Sequence, residues 1–262
     1  MPLTRRALLR GTAAAAAAAG ADACSPGTAP NRSASSARKS ATAAASSPPS
    51  VSATAQSTSA GRDHADEVRH GDRSSVRVAL TFHGAGDVSL AEQLLDQLEQ
   101  RDVQCTVMAV GTWLRAEPQM ARRITRGGHD LGNHTLHHYP MRDLGARAAF
   151  DEVEGCASVL QHTSGGRGTW FRASGTQVTT PTIRRAAARA GYAQCISYDA
   201  DGLDWQDPLA PTVVRAVLDG TRGGSIISLH LGHRVTVAAL PEILDGLRAR
   251  SLRPVTLTQL LG

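Results

Sequence analysis

An α/β fold on parallel strands is what this sequence predicts over residues 72–262, and three observations carry that reading. Apolar runs rich in Val, Ile and Thr alternate with segments of helical periodicity, the pattern of repeated βα units. Proline stands at the start and glycine at the end of several helical segments, where first-turn geometry and the helix cap favour them. His83, Arg172, Asp199 and His230 all fall at the ends of predicted strands. Function in parallel α/β folds gathers at those ends, whether the sheet is open or closed into a barrel.

Taken in order, residues 76–83 form a first strand and 88–100 a helix. Val- and Thr-rich residues 103–110 form a second strand. Pro118 fits the first turn of a helix that reaches Arg126 and is ended by Gly127-Gly128. A short histidine-rich segment leads to a helix over 147–161, and 168–172 is a short strand. Thr180-Pro181 opens a helix that Gly191 stops, before a strand over 192–198. Pro211 opens another helix, and Gly223-Gly224 closes the turn before a strand at 225–230. A long helix at 237–250 and a last strand at 254–257, leading into Gln259-Leu260, finish the chain.

The first quarter of the chain has a different composition. Residues 1–23 carry a twin arginine, Arg5-Arg6, and an unbroken alanine run from Ala13 to Ala19 that is too short for a membrane span. They resemble a twin-arginine export signal. Ala21-Asp22-Ala23 fits small-residue cleavage, and Cys24 stands where a lipoprotein would carry its lipid. The chain is thus expected on the outer face of the cytoplasmic membrane if lipidated, and secreted or in the cell wall otherwise. Of residues 25–60, 29 of 36 are Ser, Ala, Thr or Pro, too apolar-poor to offset the entropy of ordering. Residues 24–71 therefore read as a flexible linker. The net charge of +5 comes from this region: residues 1–60 hold six of the 28 Lys/Arg and one of the 23 Asp/Glu, leaving 22 of each. A nucleic-acid partner loses its support, and a monomer is expected. Cys105, Cys156 and Cys195 form no CxxC pair and read as small buried residues, with one disulfide open to an exported chain.

The sharpest chemical signal is His134-Thr135-Leu136-His137-His138. Two imidazoles four residues apart can be aimed at one point by a helical turn or a tight loop, and neutral imidazole is a good ligand for zinc. Downstream stand Phe171-Arg172-Ala173-Ser174-Gly175, Asp204-Trp205 followed by Asp207-Pro208, and Ser228-Leu229-His230. In this order the segments resemble the motifs of the polysaccharide deacetylases, the NodB-homology domain or carbohydrate esterase family four, over residues 76–262. The resemblance implies a distorted (β/α) barrel of about seven parallel strands. It also implies a metal-dependent hydrolase that removes acetyl groups from an N- or O-acetylated polysaccharide, peptidoglycan-, chitin- or xylan-like. By the same resemblance His134 and His138 are metal ligands, with zinc the expected ion. His230 is the general acid, Asp204 the carboxylate that holds and charges it, and Arg172 the residue that steadies the base.

The first motif departs from that pattern. Where the family has Thr-Phe-Asp-Asp-Gly-Pro, this chain has Thr81-Phe82-His83-Gly84-Ala85-Gly86. His83 stands in place of the base and Gly84 in place of the third ligand. As a ligand, His83 would complete a three-histidine set; as a base, its ordinary pKa near 6.5 would suit neutral pH. Asp87 is a second candidate ligand, though a helix N-cap is its simpler role. His137 reads as solvent-facing. With His83 replacing a carboxylate, Arg172 is expected to contact Asp199, Asp201 or substrate. Tyr139 and Trp205 are candidate walls for a sugar ring. A reading of another class also stands: a non-catalytic glycan-binding or wall-associated protein on a degenerate deacetylase scaffold.

Overall fold

The protein is described from a computed structural model over residues 63–262; the expected export signal, Cys24 and the expected linker up to residue 62 lie outside the described residues. Among the described residues eight strands are interspersed with eight α-helices, and every strand–strand ladder is parallel. The long first core strand, β2 (Arg77–Gly86), lies between β3 (Thr106–Ala109) and β7 (Ile226–Gly232). β4 (Asp130–Asn133) extends the sheet beyond β3, and β6 (Ala200–Asp201) beyond β7. β8 (Arg253–Val255) pairs with the start of β2 on its β3 side. A second ladder joins β1 (Asp66–Val68) to β5 (Gln194–Ile196). Phe171 connects it to the main sheet, bridging Asn133 on one side and Cys195 on the other, and beyond β1 an antiparallel bridge joins His70 to Ser225. The α/β class is as expected, but among the described residues the ladders trace an arc linked by single bridges, not a closed ring.

Period-two alternation explains how β2 and β7 divide inside from outside. Val78, Leu80 and Phe82 face the helices, packing in one apolar core with Ile227, Leu229 and Leu231 of β7. α1 (Val88–Glu99) covers that face with Leu90, Leu94, Leu95 and Leu98, each buried leucine contributing about 1.5–3 kcal/mol. α7 (Arg234–Ala249) adds Leu240, Ile243, Leu244 and Leu247. The alternate residues Ala79 and Ile226 face the interior, in a separate cluster with Met108, Trp170, Ile196 and Leu257. Leu257 belongs to α8 (Leu257–Leu261), which starts on a capping box of Thr256 and Gln259. Above this apolar floor, Thr81 pairs with Ser228 in register, and His83 with His230. The floor is therefore apolar, the middle hydroxyl-lined and the carboxyl end rich in imidazole.

Several expected boundaries change. The linker expected through residue 71 ends earlier, because residues 66–68 form β1 and Ala65 is fully buried. Backbone pairing with β5 makes this strand; its polar side chains carry no strand pattern. The strand expected at 168–172 reduces to the Phe171 bridge. α2 (Gly111–Ala116) and β4 were not anticipated. α3 (Pro118–Arg126) begins and ends as expected, while α4 (Ala146–Ser164) runs one turn longer and stops on left-handed Gly165, φ 81°. α7 starts at Arg234 and continues through Pro241. The last strand is β8, and residue 257 already belongs to α8. α5 (Pro181–Arg189) and α6 (Ala210–Gly220) follow the proline signals. Cys105, Cys156 and Cys195 are free and buried.

Candidate metal centre

His134 follows directly from β4, and the loop after it is held from every side. Asn133 accepts the Thr135 N–H (2.9 Å) and donates to the Val153 carbonyl and the Tyr192 hydroxyl. The first N–H groups of α2 donate to the carbonyls of Thr135 and Leu136. The buried Ser174 hydroxyl donates to the Tyr139 carbonyl (2.6 Å) and lies 2.9 Å from the Thr135 hydroxyl. These contacts sustain left-handed backbone at Thr135 (φ 69°) and His138 (φ 64°), a conformation costly for residues with a Cβ. The result is a tight loop that turns both imidazoles toward β2.

There they meet His83. One ligating atom each from His83, His134 and His138 lies within 4.8 Å of the others. The His83 ring lies 4.3 Å from that of His134 and 4.4 Å from that of His230, and the His134 and His138 rings are 4.9 Å apart. His134 Nδ1 is 2.9 Å from the Arg172 carbonyl, to which it donates, so Nε2 keeps its lone pair. That Nε2 is buried and without a hydrogen-bond partner. A buried, unpaired acceptor facing two more imidazoles fits a zinc-like ion and is costly without one. Burial, aided by the surrounding cations and imidazoles, pushes the His83 and His134 pKa values well below 6.5, and partial burial lowers that of His138. All three are neutral donors at pH 7.

These shifts carry a sign for stability. The unfolded chain takes up protons below pH about 6.5 that the folded cluster resists. The cluster's share of stability is therefore complete above that pH and is lost as pH falls toward the depressed folded-state values. The Tm of the metal-free chain is expected to fall between pH 7 and pH 5, less steeply in a His83→Gln/His134→Gln double variant. Equal slopes in thermal melts across that window would contradict the assignment.

The other expected residues take distinct places. Asp204, fully buried in a 3₁₀ turn, accepts the His230 N–H (2.7 Å) and faces His230 Nδ1 at 2.8 Å. Arg172 is buried and, among the described residues, meets no carboxylate by hydrogen bond: it donates to the Thr81 hydroxyl (2.9 Å) and the Ile196 and Ser197 carbonyls, with Tyr198 under its guanidinium. Burial lowers its pKa to about 10. The expected Asp199 contact is absent because Asp199 pairs with Arg73 (2.7 Å); Asp201 acts on Arg172 only through space, and burial raises the Asp201 pKa. Asp87 caps α1, accepting from Ser89 and Leu90 N–H. His137 is exposed but not free: Glu152, buried on α4, accepts its N–H (2.8 Å) and faces its Nδ1 at 2.7 Å. Tyr139, next in the chain to His138, and Trp205, next to Asp204, are each 53% exposed. Glu152 and Ser228, which lies 3.2 Å from His83 Nε2, were missed in the sequence.

Gly84 is packed away from the cluster. A Cβ there would meet Val107 Cγ1 at 2.6 Å and the Ala109 Cα at 3.1 Å, on the apolar helix-facing side of β2. Gly84→Asp is therefore expected to destabilise by about 1–3 kcal/mol or more without adding a ligand. Thermal melts should show the loss, and Val107→Ala in the same chain should recover part of it.

Residues 70–195 match the family model described as polysaccharide deacetylase. A peptidoglycan-N-acetylglucosamine deacetylase of Bacillus cereus is 29% identical over 189 residues, covering 70% of this chain and 87% of the relative. Among solved structures, a peptidoglycan N-acetylglucosamine deacetylase superposes with a TM-score of 0.70 at 25% identity, covering 76% of this chain and 93% of the other. The fold is equally similar (TM-score 0.70, 21% identity, 75% and 69% coverage) to a family-four pseudoenzyme from Bacillus anthracis. Over residues 70–195 and in its fold, the chain is similar to the polysaccharide deacetylases.

Proposed function

We propose that this chain is a metal-dependent deacetylase of an acetylated cell-envelope glycan, with His83, His134 and His138 holding the ion. The observation that carries the reading is the convergence of three neutral imidazoles from two strand ends and one loop, with His134 Nε2 buried and unpaired. A zinc-like ion held there would polarise the acetyl carbonyl and acidify bound water. His230, held in orientation by Asp204, sits across His83 from His134 and is placed to protonate the leaving amine or alkoxide. Arg172 acts as a positioning residue, since its carbonyl fixes the His134 tautomer and its guanidinium ties Thr81 beneath His83. Tyr139 and Trp205 supply exposed aromatic surface on which a sugar ring can stack. The chain's partner is then the acetylated polysaccharide. The twin-arginine leader, the small-residue site before Cys24 and the linker would deliver a domain of residues 72–262, extended by β1, to the envelope.

The test is a zinc titration of the purified chain, followed by acetate release from peptidoglycan and chitooligosaccharides with and without chelator. One tightly bound zinc and chelator-sensitive release are expected. No binding at micromolar zinc would overturn the reading. The loss of both family carboxylates, through His83 and Gly84, favours the second reading, a glycan-binding protein on the same scaffold. That reading requires saccharide binding with no acetate release, so reproducible metal-dependent release excludes it.

A further inference from the structure

Ser228, diagonal to His83 across the β2–β7 ladder, lies against its ring. Ser228 is buried in β7, two residues before His230 on the same inward face, and no side-chain partner other than His83 is seen for its hydroxyl among the described residues. Its Oγ lies 3.2 Å from His83 Nε2. Their strands are in register at Thr81–Ser228 and His83–His230, which holds both residues on the same inward face of adjacent strands. A neutral imidazole has one N–H and one lone pair, and the partner of one nitrogen decides what the other can offer. If Nε2 donates to Ser228, Nδ1 is left with its lone pair. If the hydroxyl donates to Nε2 instead, Nδ1 carries the proton and cannot bind an ion.

We propose that Ser228 is the positioning residue of the metal centre: it accepts from His83 Nε2–H and so presents His83 Nδ1 to the ion shared with His134 and His138. The inference rests on the proposed three-histidine centre and extends it. His134 is set by the converse bond, Nδ1–H to the Arg172 carbonyl, so the two interior ligands face the ion through different nitrogens. Partners of this kind typically change metal affinity by about 10–100-fold when removed.

The test compares Ser228→Thr and Ser228→Val in the full chain, since these share a shape and differ only in the hydroxyl. Ser228→Thr should keep the wild-type zinc affinity and cobalt absorption spectrum, and Ser228→Val should lose about 10–100-fold in affinity with a shifted spectrum. Long-range ¹H–¹⁵N correlation on the metal-free protein should show His83 as the Nε2–H tautomer, its signals assigned by their absence in His83→Gln. A wild-type chain that binds zinc while the Val and Thr variants agree within threefold overturns the role of Ser228 and leaves the metal centre standing. An Nδ1–H tautomer for His83 overturns it as well. A chain with the Nε2–H tautomer that binds no zinc instead defeats the metal centre, leaving only the hydrogen bond.

Discussion

In a His83→Ala variant, zinc affinity is expected to fall by more than about 100-fold, beyond the range typical of a lost outer-shell partner, and acetate release to drop to background. His83 is the middle ring of the series, 4.3 Å from His134 and 4.4 Å from His230, and among the described residues no carboxylate joins His83, His134 and His138. Without it only two ligands remain, one of them, His138, at the exposed edge, and catalytic zinc sites usually have three. The variant also separates the two roles that His83 can take. If it serves as base alone, zinc binds to His83→Ala as to wild type while acetate release is lost. If it is a ligand, both go together. Wild-type binding and wild-type turnover in His83→Ala would remove His83 from the site altogether. His83→Asp sharpens the contrast by returning a carboxylate above Arg172, a buried cation that no carboxylate contacts by hydrogen bond. It should tie Arg172 more firmly yet fall short of restoring the zinc affinity of the three-imidazole set.

What the sequence discloses follows from where each interaction is encoded. β2, α1 and α3 are visible because their own residues carry the signal: alternating apolar positions, a leucine stripe, a proline at the first turn. β1 is invisible because Asp66, Glu67 and Val68 become a strand only through parallel pairing with residues 194–196. The Phe171 bridge and six-residue α2 are likewise made by neighbours distant in sequence. The same division runs through the site. His83, His134, His138, Asp204 and His230 stand out as types in motifs, and the fold brings them together. Glu152 does not, because a buried acid on a helix is recognised only once His137 is seen beside it. Ser228 lies 145 positions from its partner, although its spacing of two from His230 already placed it on the inward face of a strand. Gly84 reads in sequence as a missing ligand, while in space it is the position that lets Val107 and Ala109 pack against β2.

Asp204 separates the metal from the proton. Asp204→Asn is expected to lower kcat by about 10²–10⁴, the range of general-acid catalysis, with zinc affinity unchanged because Asp204 is not among the ligands. The wild-type carboxylate faces His230 Nδ1 and also accepts the His230 N–H and the Thr236 hydroxyl, inside a turn held by left-handed Leu203 (φ 53°) and Asp207 (φ 49°). An amide keeps the shape but removes the charge that stabilises the imidazolium, and its NH₂ can donate to Nδ1 and so select the other neutral tautomer. Asp204→Ala goes further, leaving these donors without their buried acceptor, and should cost about 3–5 kcal/mol of stability, on the order of 10 °C in Tm. Melts separate that folding loss from the chemical one, because the Asn variant should stay within a few degrees of wild type. An Asp204→Asn enzyme with wild-type kcat would leave Asp204 as packing and return the proton-donor role of His230 to question.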